Sequence, residues 1–224
     1  MLTPLYSALP RDVVKAIFLV CLADGVVAVS YGSLAGSLGF PVWVPLALSM
    51  IVMAGASEFI FIGIVAAGGS PLAAAAAGLL VNARHIPFGI AVSDLTGRGW
   101  RGIAGSHMMN DESVVFGLSR PDKRQQRAAY WLCGTGIALC WPAGVLGGSL
   151  MGKLLPDPSV IGLDSVFPAI MLALVIPSLK KKVTRKRAGS GALLALATVP
   201  WLPAGLPVLV SLAGLMMGGR KNEQ

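Results

Sequence analysis

Long apolar blocks with few charges dominate this sequence and restrict what it can fold into. Six blocks, at about residues 16–38, 42–67, 72–96, 128–150, 160–179 and 189–217, stand out. Each reaches the roughly 20 residues that a helix needs to cross a bilayer. Only 12% of the 224 residues are charged, whereas soluble domains carry about 25%. The sequence therefore predicts an all-α integral membrane protein with a single transmembrane domain, residues 1–224.

The basic residues collect in short segments between the apolar blocks. The densest runs are Arg120–Arg127 and Lys180–Arg187, and Arg11 and Lys15 precede the first block. Such clustering is typical of cytoplasmic loops under the positive-inside rule. The formal charge of +8 therefore indicates membrane topology and not a nucleic-acid partner.

A weaker seventh segment, at about residues 103–119, decides the number of spans. Asn110-Asp111-Glu112 interrupts it. If it crosses, all three basic clusters lie on one side together with the N-terminus, as the positive-inside rule requires. We therefore predict about seven transmembrane helices with the N-terminus in the cytoplasm. The first block is too long for the apolar region of a signal peptide and is expected to remain as the first span.

A short internal repeat indicates how the spans are organised. Gly32–Leu38 and Gly144–Leu150 share the pattern G-x-L-x-G-S-L. The pattern is either a coincidence of common membrane residues or the trace of two three-helix repeats joined by a linking helix. The second reading gives a 3+1+3 plan with halves at 16–96 and 128–217 and a linker segment at 97–127, comparable to known transporter repeats. Prolines inside the blocks predict broken or kinked helices. These prolines are Pro87, Pro142, Pro168, Pro200, Pro203 and Pro207.

Each of the first three spans contains one formal charge well inside it: Asp24, Glu58 and Arg84. At 1.5 Å per residue they lie roughly 13–20 Å from the cytoplasmic end, near the middle of a ~30 Å core. An unpaired charge there costs about 2.5–3.5 kcal/mol. We therefore expect Glu58 to pair with Arg84 and Asp24 to remain free to titrate. Such a set is either a structural ion pair between helices or a polar site in a translocation path, the usual role of ionisable residues in membranes.

The neighbours of these charges favour a site for a zwitterion. The small residues of Ala54–Ser57 leave space beside Glu58. Asn82 can donate and accept hydrogen bonds, and Arg84 can hold a carboxylate through two parallel N–H bonds. His85 is either a proton relay near neutral pH or a hydrogen-bonded histidine between helices.

Two further features near these charges carry predictions. Pro87 cannot donate to the carbonyl of Ala83, so we expect that acceptor to be available. Asp111 and Glu112 lie either in a solvated loop or, if the seventh segment crosses, on a broken helix of the kind that binds substrates in transporters.

Cysteine and histidine spacing gives no sign of a cofactor. The three cysteines and two histidines form no metal-ligand pattern. The sequence also has no cofactor motif and no positioned nucleophile. We expect no cofactor, and an enzyme is less well supported than a transport protein.

Five motifs in register resemble the AzlC family, the large permease subunits of bacterial branched-chain amino acid exporters. They are Tyr31-Gly32, AGASEF at Ala54–Phe59, NARH at Asn82–His85, DES at Asp111–Ser113 and FPA at Phe167–Ala169. The resemblance covers about residues 20–180. Two residues depart from the family pattern: Glu58 stands where the family usually has glutamine, and Asp24 where it is usually apolar.

The resemblance implies a secondary active exporter in the bacterial inner membrane. Its expected substrates are leucine, isoleucine, valine and often methionine, moved by the proton gradient with a small AzlD-type membrane subunit as partner. In such an exporter Arg84 would hold the substrate carboxylate, Glu58 its ammonium group, and Asp24 would carry the proton. The two departures leave open a different zwitterionic or cationic substrate. A passive channel or a subunit without its own transport activity are further alternatives.

Overall fold

The computed structural model describes residues 8–154, 172, 176–202 and 206–215, and every regular element among them is helical. The chain is an all-α membrane protein, as predicted. The helices of its first part are α1 (Arg11–Ser37), α2 (Trp43–Ile51), α3 (Gly55–Ala66), α4 (Pro71–Asn82), α5 (His85–Thr96), α6 (Trp100–His107), α7 (Asp111–Leu118) and α8 (Lys123–Leu154). After them come a 3₁₀ helix (Ile176–Lys180), α9 (Lys182–Thr198), α10 (Leu206–Val210) and a second 3₁₀ helix (Ser211–Leu215).

Some predictions fall on residues outside this description. They concern most of the fifth block at 160–179, with Pro168 and the FPA motif at Phe167–Ala169, and also Pro203. The total number of spans and the 3+1+3 plan therefore stay predictions.

The chain forms two compact units. The first unit comprises Met1–Glu58 and Asn82–Leu163, and the second comprises Phe59–Val81 and Asp164–Gln224. Helices α1 and α8 are the long elements of the first unit, with 27 and 32 residues, and both are apolar enough to cross a membrane. Helix α8 continues through Pro142 without ending.

The two copies of the G-x-L-x-G-S-L pattern pack against each other where α1 meets α8. A Cβ atom added at Gly36 would lie 2.6 Å from the carbonyl oxygen of Ser149, and one added at Gly148 would lie 2.9 Å from the backbone nitrogen of Ser33. These distances leave no room for a side chain. Glycines therefore let the two backbones approach closely, as small residues do at helix contacts in membranes.

Two predicted spans are each divided into two helices. Block 42–67 contains α2 and α3, separated at residues 52–54, where Met53 adopts a positive φ of 47°. Block 72–96 contains α4 and α5, separated at residues 83–84. This pair has the length and hydropathy of a span only when taken together, and it is bent by 52° at the break. The prediction of broken helices is confirmed, but neither of these breaks lies at one of the predicted prolines.

The weak segment at 103–119 is also divided. Helices α6 and α7 have eight residues each and are separated at residues 108–110. Eight residues at 1.5 Å rise give about 12 Å. Neither helix alone is therefore long enough to cross a ~30 Å core.

The second unit has its own apolar contacts. Ile64, Ala74 and Ala77 form a buried cluster between α3 and α4. Helix α9 lies against the second 3₁₀ helix, where the hydroxyl of Ser190 donates to the carbonyl of Gly214 at 3.3 Å. Helix α9 ends at Thr198, so the proline-rich end of the last apolar block does not continue it.

Candidate functional site

The first unit contains all seven predicted site residues, and six of them lie where short helices begin or end. They are Glu58 in the first turn of α3, Asn82 at the end of α4, Arg84 and His85 at the start of α5, and Asp111 and Glu112 at the start of α7. The seventh, Asp24, lies inside α1. Irregular backbone within a membrane is tolerated where it is buried in protein or lines a polar cavity. The helix breaks therefore concentrate the ionisable side chains.

Arg84 forms an ion pair with Asp111. Its Nη2 atom lies 2.9 Å from Oδ2 of Asp111, and the two side chains are 36% and 41% exposed. The predicted pair of Arg84 with Glu58 is wrong, because the Glu58 carboxylate accepts instead from the N–H of Ala54, just before α3, and from the indole of Trp141 in α8. The Nε atom of Arg84 is buried and has no hydrogen-bond partner among the described residues. Asp111 thus uses only part of a guanidinium that can hold a carboxylate through two parallel bonds.

Glu58 is 1% exposed and receives N–H donors on both of its oxygens. Trp141 Nε1 donates to Oε1 at 3.2 Å and to Oε2 at 3.1 Å, and the backbone N–H of Ala54 donates to Oε1 at 3.0 Å. The indole covers Gly55, where an added Cβ would lie 2.6 Å from Cη2. The ring of Tyr31 is also stacked on the indole, with 6.2 Å between the ring centroids. These contacts hold the start of α3 against α1 and α8.

Sequence reasoning missed Trp141. A signal existed, because a buried indole N–H usually needs an acceptor. The partner lies 83 positions away in the chain, so no local pattern identifies it.

Asn82 connects the break at 83–84 to the start of α3. Its Nδ2 donates to Oγ of Ser57 at 3.1 Å, and the Ser57 hydroxyl donates to the carbonyl of Ala54 at 2.8 Å. The Oδ1 atom of Asn82 is buried and has no hydrogen-bond partner among the described residues. It is an acceptor suited to an ammonium group.

His85 and Pro87 have local roles in the start of α5. The Nδ1–H of His85 donates to the carbonyl of Asn82 at 3.1 Å, and the ring packs edge-on against Phe88. The backbone N–H of Ile86 donates to the carbonyl of Ala83 at 3.1 Å. The prediction that this carbonyl is available is therefore wrong: Pro87 lies in the first turn, where proline costs a helix little.

The start of α7 carries the remaining polar groups. Asn110 caps the helix, since its Oδ1 accepts from the backbone N–H of Ser113 at 2.8 Å while its own N–H donates to the Ser113 hydroxyl. Asp111 and Glu112 therefore lie on a short helix and not in a loop. The Nδ2 of Asn110 is buried without a hydrogen-bond partner in the described part of the chain. Asp24 of α1 lies within electrostatic range of Glu112 and Asp111.

Together these groups offer complementary chemistry. Arg84 Nε and Asn110 Nδ2 are buried donors, and Asn82 Oδ1 is a buried acceptor. A buried polar atom without a partner costs about 1–3 kcal/mol, so each of these three atoms at the helix breaks is suited to contact a polar ligand. Donors suit a carboxylate, and the acceptor suits an ammonium group. Among the described residues, no group of three His, Cys, Asp or Glu side chains is arranged to hold a metal ion.

Fold and site define a multi-helix membrane protein whose polar side chains gather where its helices break. The chain belongs to the AzlC family: the family model described as AzlC protein matches residues 19–155. This range includes all seven predicted site residues and also Trp141. No solved structure matches the chain.

Bacterial relatives agree with this assignment. The chain is 25% identical over 199 residues to the branched-chain amino acid transport protein AzlC of Bacillus subtilis, covering 86% of this chain and 78% of the relative. It is 26% identical over 217 residues to an uncharacterized membrane protein of Helicobacter pylori strain J99, covering 94% and 91%. A second Helicobacter pylori membrane protein is 25% identical over 194 residues, covering 84% and 83%.

Proposed function

We propose that this protein is a secondary active exporter of branched-chain or other hydrophobic amino acids across the bacterial inner membrane, coupled to protons. The observations that carry the site are the ion pair of Arg84 with Asp111 and three buried polar atoms, on Asn82, Arg84 and Asn110 at the same helix breaks, that have no hydrogen-bond partner among the described residues. The name of the Bacillus subtilis relative supports the substrate class. Export, proton coupling and a small AzlD-type subunit are supported by the family resemblance.

In this proposal the substrate carboxylate takes the place of Asp111 on Arg84. Asp111 contacts Nη2, while Nε has no hydrogen-bond partner among the residues that the structure describes. A free carboxylate that bridges Nε and Nη2 would make two parallel charge-assisted bonds, the stronger arrangement. Asp111 is thus a resident carboxylate that keeps the guanidinium paired until a substrate displaces it.

The displacement provides a link to proton binding. Once Asp111 leaves Arg84, it stands with Glu112 and Asp24 in a group of three acids within electrostatic range of one another. Like charges disfavour the ionised form of one another. Uptake of a proton, or approach of the substrate ammonium, relieves this repulsion. Asp24 is the proposed proton carrier because the ionisable groups that act on it are the acids Glu112 and Asp111.

The substrate ammonium is assigned to Asn82 and Glu112. Asn82 Oδ1 is a buried acceptor without a hydrogen-bond partner in the described part of the chain, whereas both Glu58 oxygens accept hydrogen bonds and that side chain is 1% exposed. Glu58 then holds the start of α3 in place beside the site. This assignment differs from the expected contact of Glu58 with the ammonium group.

Counterflow in proteoliposomes tests the proposal. Vesicles that contain the protein, with and without the small subunit, are loaded with unlabelled leucine and placed in labelled leucine at two opposite pH gradients. Accumulation of label above equilibrium, with a rate that depends on the gradient, is expected. A channel would give equilibration without accumulation, and the absence of counterflow with every hydrophobic amino acid would refute the proposal.

A conservative variant locates the site. Arg84→Lys keeps the charge but removes the two-pronged geometry, and it should weaken leucine binding by about tenfold, the equivalent of one strong hydrogen bond. Arg98→Lys, in the exposed turn before α6, is the matched control and should transport normally. Equal transport by the two variants would show that Arg84 does not hold the substrate.

A further inference from the structure

A groove runs along α9 in the second unit. Its volume is about 560 Å³, and α9 and the second 3₁₀ helix form its walls. Helix α9 contributes Thr184, Arg187, Ala192 and Ala195, and the 3₁₀ helix contributes Leu212. This groove belongs to neither the ion pair nor the helix breaks of the proposed transport site, so its function is a separate question.

The lining changes from polar to apolar along the groove. Thr184 and Arg187 lie near the start of α9, and Ala188, Ala192 and Ala195 follow on the same face at spacings of three and four residues. The distance from Thr184 to Ala195 is roughly 16 Å at 1.5 Å per residue. That length is close to the thickness of one leaflet, half of a ~30 Å hydrocarbon core. The groove thus has one end for a polar group and a long apolar wall.

The polar end lies in the most basic segment of the chain. Lys180–Arg187 holds six basic residues in eight positions, and the described residues of the second unit include no acidic side chain. Helix α9 begins in the same segment, and its N-cap residue Lys181 makes no side-chain capping bond. Backbone N–H groups at a helix start favour an anion. Charge and backbone therefore both call for a negative group at this end.

We propose that the groove binds one anionic phospholipid. Its phosphate group lies at Thr184 and Arg187, where a guanidinium and a hydroxyl can both donate. One acyl chain lies along the alanine face of α9 towards Leu212. Basic pockets beside membrane helices are known to take lipid head groups in this way. The positive charge of the segment favours an anionic lipid over a helix of another subunit, because such a helix would need acidic residues facing this segment.

Lipid titration followed by native mass spectrometry tests this site. The full-length protein in a neutral detergent is titrated with phosphatidylglycerol or with phosphatidylcholine that has the same acyl chains. The first phosphatidylglycerol should bind about tenfold more tightly than phosphatidylcholine, because the choline ammonium of phosphatidylcholine neutralises its phosphate and weakens a charge-assisted contact with Arg187. Arg187→Gln should remove most of this difference. Arg185→Gln removes the same charge from the same segment but does not line the groove, and it should retain the difference.

A second pair of variants tests the apolar wall without changing any charge. Ala192→Leu fills the groove and should weaken binding of the first phosphatidylglycerol. Ala197→Leu adds the same volume on an exposed part of α9 outside the groove and should leave binding unchanged. Equal losses in Arg187→Gln and Arg185→Gln would show binding to the basic segment as a whole and overturn the proposal. Normal lipid binding by Ala192→Leu, or a change in oligomer size instead, would overturn it as well.

Discussion

The bond between Trp141 and Glu58 allows the charge of a buried carboxylate to be measured through stability. Trp141→Phe removes the N–H that contacts both carboxylate oxygens, at 3.2 and 3.1 Å. It also removes part of the ring that covers Gly55. The substitution is made in the unsubstituted chain and in the Glu58→Gln variant, so that the four proteins form a double-mutant cycle.

The expected coupling energy follows from the contacts. Glu58 is 1% exposed, so water cannot replace the lost N–H donor. A hydrogen bond to a charged acceptor contributes about 1.5–3 kcal/mol, and one to a neutral acceptor about 0.5–1.5 kcal/mol. The ring volume is lost equally in both backgrounds and cancels. Trp141→Phe should therefore cost about 1 kcal/mol more in the unsubstituted chain than in the Glu58→Gln variant.

Equilibrium unfolding of the four proteins in the same detergent provides the measurement, with thermal midpoints as a second readout. Trp131→Phe is the matched control, because Trp131 Nε1 donates to a neutral acceptor, the carbonyl of Leu95, at 3.0 Å. Its cost should be the same with glutamate or glutamine at position 58. A coupling energy of zero between Trp141 and Glu58 would refute the reasoning, because the indole would then not distinguish a charged carboxylate from an amide.

Two further predictions use pairs of residues that the structure makes comparable. Asp111→Asn weakens the ion pair with Arg84. Because Asp111 competes with the substrate in the proposed site, the apparent Kd for leucine should fall by up to about fivefold, as expected for a pair that contributes up to about 1 kcal/mol. Asp94→Asn breaks the exposed pair with Lys123 at 3.1 Å and should leave the Kd unchanged; a weaker or unchanged Kd for Asp111→Asn would contradict the competition. Gly148→Ala places a Cβ 2.9 Å from backbone nitrogen between α1 and α8 and should destabilise the protein by about 1–3 kcal/mol. The Cβ added in Gly147→Ala meets no atom within 4 Å, and this variant should be neutral or slightly stabilised in thermal unfolding. Equal effects of the two alanines would argue against close packing of α1 on α8.

The sequence was sufficient for the features that depend on composition and local pattern. Long apolar blocks predicted an all-α membrane protein, and prolines predicted that some helices are interrupted. The concentration of lone charges at Asp24, Glu58 and Arg84 also identified the unit in which the unsatisfied polar atoms lie. These signals are local, because hydropathy and helix-breaking residues act within a single segment.

The pairing of these charges could not be read from the sequence. Depth along each helix made Glu58 the natural partner of Arg84, but depth alone says nothing about the direction in which a side chain points. The helix break at residue 53 contains neither glycine nor proline, and Met53 itself adopts the positive φ. After this break the Glu58 carboxylate contacts Trp141, and Arg84 forms its ion pair with Asp111. Only the three-dimensional arrangement of helices distant in sequence decides between such partners.

The position of α8 in the chain has a consequence for biosynthesis. Helix α1 leaves the ribosome before α8, and its glycines pack against backbone that is made more than 100 residues later. Until α8 is inserted, that face has no partner, and the Glu58 carboxylate lacks its indole donor. Before α8 is inserted, the earlier helices are therefore incompletely packed and contact the insertion machinery or lipid. Late insertion of α8 would then complete its contact with α1 and bury the Glu58 carboxylate in one step.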